Sequence, residues 1–201
     1  YLKLTVNHND EEALRRIINY PTRGIGDTTL DKATVLAADK GTNLWSILNT
    51  IQFQPEFNGR AKNLIEEFVM MIKSFATMLN TMNAYDLASH IAKHTGIMKE
   101  LYNDKTVEGI SRYENVQELL NGIKDFVEQQ SQTEDGDPSL GAFLQDVALL
   151  TDRDEQETDE PKVILMTIHL AKGLEFPVVF VVGMEDALFP SMMAMNSRSD
   201  L

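Results

Sequence analysis

Apolar positions recur at helical spacing over most of the chain and give way to two short strand-like runs near its end. Ala13, Leu14, Ile17 and Ile18 share one face and predict a helix opened by Asn9 or Asp10. It stops before Pro21, because the residue preceding a proline is driven out of helical angles. Glu11 and Glu12 fall near its positive end, where acids are favourable. Tyr1–Val6, before it, is apolar-rich and reads as the end of an element that starts upstream. After a turn at 21–30, Asp27 or a nearby Thr caps a helix through Lys40, with Gly41 as its stop. Asn43–Asn49 predicts a short helix whose Trp45 is a core anchor.

The most persistent stripe is Ala61, Leu64, Ile65, Phe68, Ile72, Phe75, Leu79 and Met82. A spacing of three to four over about six turns predicts one long central helix. Met70, Met71, Met78 and Met82 read as flexible core filler on it rather than as a peptide-binding face. Asn83 then caps a helix that ends near Gly96, and Ile97–Asn103 forms a short one before the loop Asp104–Gly109. Ser111–Gln130 is strongly amphipathic, with Tyr113, Val116, Leu119, Leu120, Ile123 and Phe126 on its buried side. Ser131–Pro138 is a polar loop, and Leu140, Phe143, Leu144 and Val147 mark a last helix.

Thr151–Pro161 has no apolar period and reads as a mobile boundary. Beyond it, Val163–Met166 and Pro177–Val182 are too short for globular helices and rich in β-branched residues. They predict buried parallel-type strands around a polar centre. The expected fold is therefore mainly α: an all-helical unit over residues 1–160, then a partial α/β strand–turn–strand segment over 161–201. The second piece is too small for a core of its own.

Composition narrows the classes. No apolar run approaches the roughly 20 residues of a membrane span, and no signal peptide is visible in a chain that opens at Tyr1. That start reads as a piece of a longer protein. Cysteine is absent, which excludes disulfide scaffolds and thiolate metal sites and fits a cytoplasmic home. The net charge of −13 opposes tight autonomous binding to nucleic acid, since phosphate affinity comes from clustered Lys and Arg. The acid is uneven, however. Thr151–Pro161 holds six carboxylates and one Arg, whereas residues 1–60 hold seven acidic and seven basic residues and are neutral. A weak duplex contact by that neutral part is compatible with the charge.

Three places carry candidate chemistry. His90 and His94 lie one helical turn apart, but no acid follows His90 in the zincin manner and no third ligand is evident. They read as solvated or capping histidines, and no metal is expected. Pro21-Thr22-Arg23-Gly24-Ile25-Gly26-Asp27-Thr28-Thr29-Leu30 places two glycines around one apolar residue, a tight hairpin between helices. It presents backbone N–H groups at a helix N-terminus, which suits phosphate, although Gly-x-Gly alone reads first as plain turn chemistry. No third glycine follows and no strand precedes, so it is not a dinucleotide fingerprint. Third, Thr167, His169, Lys172, Gly173 and Glu175 lie between the two apolar runs, at the end of a buried strand where open α/β sheets place ligands; the residues alone read equally as a strand–turn–strand connection with a solvated crossover.

The stretch from Thr167 to Phe176, TIHLAKGLEF, continues into Pro177-Val178-Val179-Phe180, Gly183-Met184-Glu185 and Leu188-Phe189-Pro190-Ser191. This ordered series resembles motif V of the UvrD/PcrA/Rep-type superfamily 1 DNA helicases. The TRGIG segment at Thr22–Gly26 and the SRYENVQELL segment at Ser111–Leu120 resemble the inserted 2B subdomain of the same helicases.

The resemblance implies a 2B-type helical insert followed by part of a RecA-like 2A domain. It implies duplex DNA contact by Thr22, Arg23, Gly24, Ile25, Gly26, Thr28 and Thr29. It also implies that Thr167 and His169 face single-stranded DNA, that Gly173 and Glu175 approach ATP, and that Lys172 couples the two sites. The implied activity is ATP-dependent unwinding of duplex DNA with 3′-to-5′ polarity in repair or replication, with ATP and Mg²⁺ as cofactors of the intact protein. The implied partners are DNA and repair or replication proteins, with no membrane.

The sequence holds no G-x-x-x-x-G-K-[ST] loop, so the chain alone is expected neither to hold ATP nor to hydrolyse it. A non-enzymatic helical interaction module is the alternative, suited by the acidity and the methionines. Residues 163–184 disfavour it, because a free-standing module gains nothing from half a sheet. A nuclease–helicase fusion of the recombination type shares motif V, but the TRGIG and SRYENVQELL segments favour the UvrD/PcrA branch.

Overall fold

The structure is a computed structural model that describes residues 1–154, 163–166, 171 and 174–184. The chain divides into two units, Tyr1–Gln156 and Glu157–Leu201. In the first, the order is α1 (Leu2–Val6), α2 (Glu11–Ile17), α3 (Asp27–Asp39), α4 (Leu44–Asn49), a 3-10 turn (Ile51–Phe53), α5 (Gly59–Ala76), α6 (Ala84–His94), α7 (Ile97–Asn103), α8 (Val107–Ser131) and α9 (Leu140–Asp154). The mainly α architecture is thus present.

Side-chain caps set most of the starts. Asp10 accepts from the Ala13 N–H at 2.8 Å, Asn43 from Ser46 at 2.8 Å, Asn58 from Ala61 at 2.9 Å and Asn83 from Asp86 at 2.9 Å. Each satisfies an amide that helix geometry leaves without a partner. α5 carries the central stripe: Ile65, Phe68, Val69, Ile72 and Phe75 are buried, and the helix packs against α1 and α4. α6 packs against α7, α8 and α9, while α9 also returns to α1. Pro138 ties that return down by accepting the Ala84 N–H at 2.8 Å, and Phe126 meets Phe143 edge-on at 5.5 Å. Trp45 is buried as the core anchor expected, with the His8 ring stacked on it.

The structure departs from the sequence pattern at several places. The central helix ends at Ala76, not near Met82. The Thr77 and Thr81 hydroxyls bond back to the Ser74 and Met78 carbonyls, and the Met78 and Leu79 amides bond three residues back. This tightened turn brings Asn83 into the extended conformation that caps α6. Leu79 and Met82 still pack on the core from outside the helix. Met70 is 64% exposed and fills no gap, and Leu119 is 47% exposed at the margin of its stripe.

α8 begins at Val107, inside the expected loop Asp104–Gly109. The cause is Thr106, whose hydroxyl accepts the Gly109 N–H at 3.0 Å. Gly109 is buried against Asp104: a Cβ there would stand 2.2 Å from Asp104 Cγ and 2.6 Å from its carbonyl oxygen. α9 runs on to Asp154, into the stretch expected to be a linker; the remainder of that stretch, from residue 155, lies outside the described residues.

In the second unit, the two apolar runs carry no strand among the described residues. Val163 is 93% and Phe180 87% exposed, so the expected buried strands are not formed there. A strand exists only through hydrogen bonds to a neighbour, and no described segment supplies one.

Candidate nucleic-acid interface

The connection from α2 to α3 is built by Asn19. Its Oδ1 accepts the N–H of Arg23 at 2.9 Å and that of Ile25 at 3.2 Å, folding the chain around Gly24. Gly24 has φ +78°, in the left-handed region where a side chain is strained. Ile25 is 3% exposed and plugs the turn into the core. Gly26 is the N-cap of α3 in extended conformation and offers no side chain to the helix end. Its carbonyl accepts the Thr29 and Leu30 amides at 3.0 and 3.2 Å. The Asp27 and Thr28 amides are first-turn donors without an intrahelical acceptor. The positive end of a 13-residue helix therefore opens beside exposed Thr22, Gly24, Gly26 and Thr28, with Thr29 half-buried.

A shallow cleft of about 220 Å³ adjoins this end, between Thr28, Thr29 and Lys32 on one side and Phe57 and Asn58 on the other. Lys32 is committed within the protein: its ammonium donates to the Glu56 carbonyl and lies 5.4 Å from the Phe57 ring centroid.

Arg23 turns inward. Nη1 donates to the carbonyls of Ile17 and Pro21, each at 3.0 Å, and Nη2 donates to the Tyr1 hydroxyl at 2.5 Å and the Thr95 carbonyl at 3.2 Å. The guanidinium also lies 5.6 Å from the ring centroids of both Tyr1 and Phe68. The Tyr1 hydroxyl in turn donates to the Tyr20 carbonyl. Burial pushes its pKa up, and the adjoining guanidinium opposes that rise.

Of the motif V positions, Thr167, His169, Lys172 and Gly173 lie outside the described residues. Glu175 is described, in an exposed irregular segment that follows the bond from the Leu174 amide to the Ala171 carbonyl at 3.0 Å.

His90 and His94 stack, ring centroids 3.8 Å apart, with His94 Nδ1 2.9 Å from the His90 carbonyl and His90 edge-on to Phe75. Burial, then His94 and Lys93, pushes the His90 pKa down. Among the described residues no three His, Asp or Glu side chains gather as a metal site. Likewise, no described helix is long and apolar enough to cross a membrane.

Sequence reasoning missed Asn19, Tyr1 and Thr95. An Asn just past a helix end was a usable signal, because its short amide readily folds a turn onto itself. Tyr1 and Thr95 gave none, standing 22 and 72 residues from Arg23.

A helical unit that offers a glycine-hinged turn at a helix N-terminus, followed by TIHLAKGLEF, has the makings of a helicase C-terminal region. The chain belongs to the UvrD-like helicase C-terminal domain family, whose sequence profile matches residues 1–200. It is 36% identical over 201 residues to DNA helicase II of Escherichia coli (strain K12) and to DNA helicase II of Salmonella typhimurium (strain LT2). It is 34% identical over 207 residues to the ATP-dependent DNA helicase PcrA of Bacillus subtilis (strain 168). Each match takes in 100% of this chain but only 27–28% of the relative. The chain thus spans just over a quarter of those proteins' length.

Proposed function

We propose that this chain is the duplex-contacting and coupling part of an ATP-dependent DNA helicase that unwinds duplex DNA with 3′-to-5′ polarity in repair or replication. The observation that carries the reading is the family match along 1–200, in which the glycine turn and motif V both fall. Residues 1–160 act as a 2B-type insert and 161–201 as part of a RecA-like 2A domain. The two apolar runs become strands when the rest of that sheet pairs with them.

Thr22, Arg23, Gly24, Ile25, Gly26, Thr28 and Thr29 form the duplex-contacting turn. The first-turn amides of α3 and the exposed threonine hydroxyls donate to phosphate oxygens, which positions the duplex without reading its sequence. Thr167 and His169 meet the single strand, the first by a hydroxyl donor and the second by hydrogen bonding or stacking. Gly173 lets backbone approach the nucleotide, Glu175 accepts from it, and Lys172 links the two sites. Glu175 fits such a role in being exposed. ATP and Mg²⁺ belong to the full-length protein, where ATP supplies the free energy of translocation. Neither ligand is expected on this chain alone. DNA is the main partner, repair or replication proteins are further ones, and the cytoplasm is the expected location.

Strand separation by the full-length protein tests this. Given ATP and Mg²⁺, it should unwind a duplex with a 3′ single-stranded tail and leave a 5′-tailed one largely paired. Failure on both substrates refutes the reading, and preference for the 5′ tail refutes the polarity.

A further inference from the structure

We propose that Arg23 serves duplex binding as a positioning residue and not as a phosphate ligand, clamping the glycine turn from beneath through Tyr1, Ile17, Pro21 and Thr95. The inference rests on the reading of that turn as the duplex contact, and it assigns its only cation, Arg23, an unexpected role.

A basic residue in a phosphate-binding turn ordinarily supplies charge. Here the guanidinium faces the other way. Its donors meet four protein oxygens, drawn from the end of α2, the turn itself, Tyr1 and the C-cap of α6. Two aromatic rings, Tyr1 and Phe68, flank it. The planar fork suits several fixed acceptors at once, which an ammonium on a flexible stem does not.

Other contacts hold the exposed side of the turn less directly than its base. Asn19 secures the amides of Arg23 and Ile25, Ile25 anchors in the core, and the two glycines contribute no side chains. Arg23 adds a tether from the turn to α6, 72 residues away in sequence. A preorganised loop loses less freedom on binding and so binds more tightly. The charge that meets phosphate is then the partial positive end of α3, presented by backbone amides.

The experiment is a salt titration of the full-length protein with a labelled blunt-ended DNA duplex. It compares wild type, Arg23→Ala, Arg23→Lys and Tyr1→Phe at a temperature where circular dichroism shows each to be folded. A direct phosphate cation lost from the interface lowers the slope of log K against log salt by about 0.9. The expected result is roughly tenfold weaker binding for both Arg23 variants, through lost preorganisation, with the wild-type slope kept. Lysine should fail to rescue because it lacks the fork. Tyr1→Phe changes no charge yet removes one acceptor of the clamp, so it should weaken binding in the same direction, and it keeps the test decisive if the Arg23 variants do not fold.

A reduced slope in Arg23→Ala, wild-type affinity in Arg23→Lys, or wild-type affinity in Tyr1→Phe overturns the inference while leaving the duplex-contacting turn intact. A wild-type protein that binds no duplex overturns both.

Discussion

His8 stacks on Trp45, with ring centroids 4.5 Å apart and planes 17° apart. Among the described residues, buried His8 Nε2 has no hydrogen-bond partner. Burial first, and then the Lys73 ammonium, pushes the His8 pKa below its ordinary value. The folded state therefore favours the neutral ring, and the unfolded chain binds the proton more readily. The His8 contribution to stability is complete above the unfolded pKa of about 6.5 and is lost as the pH falls through the lower folded value. Unfolding of the 201-residue chain can be followed by fluorescence of Trp45, its only tryptophan. The midpoint should drop on acidification below about pH 6.5, and His8→Phe, which keeps a stacked ring but no titrating group, should flatten that drop. The same pH dependence in both proteins would dismiss His8 as its source.

Gly109→Ala should destabilise the helical unit by about 1–3 kcal/mol, in the range of overpacking. Its Cβ meets Asp104 at 2.2 Å, and Asp104 is held in turn by its bonds to the Thr106 amide and hydroxyl at 3.1 and 2.7 Å. Gly122→Ala, in the same helix with open space around it, should instead stabilise by roughly 0.5–1 kcal/mol. Urea midpoints for the two variants should move in opposite directions.

Asn83→Ala removes the cap of α6 at the junction where the central helix has already stopped. A loss of about 1 kcal/mol is expected, read as a lower denaturant midpoint with an unchanged slope. Asn83→Ser, which keeps an acceptor and sets no second carboxylate against Asp86, should retain most of the stability.

Gly24→Ala tests the turn through its backbone. The added methyl finds Leu64 Cδ1 at an ordinary 3.5 Å, so the strain comes from φ +78° and not from crowding. A left-handed alanine costs roughly 1–2 kcal/mol, which the turn relieves by changing shape. Duplex affinity of the full-length protein should fall by roughly tenfold, in step with that strain. Unchanged affinity would place the contact elsewhere.

How far the sequence discloses the fold depends on the range of the forces involved. Asp10 and Asn83 act on amides three residues away, so their caps are legible in sequence. Trp45 is legible as a core residue, but its stacking partner His8 is not, because that pairing is made by the fold. Thr106 escapes notice because Gly109 three residues later looks like a helix breaker, and only contact with Asp104 explains why a glycine belongs there. The early end of α5 escapes because Leu79 and Met82 keep the apolar rhythm after the backbone has left the helix. In the candidate interface the order of glycines and threonines is legible. The inward turn of Arg23 is not, since its acceptors include Thr95.

In the proposed function, motif V brings DNA and nucleotide chemistry together within the full-length motor. ATP hydrolysis by the full-length protein, with and without single-stranded DNA, in wild type and Glu175→Gln, tests it most directly. The single strand should stimulate hydrolysis strongly in wild type, and the variant should lose that stimulation by about 10²-fold or more. Hydrolysis indifferent to single-stranded DNA, or a Glu175→Gln variant as stimulated as wild type, would contradict it.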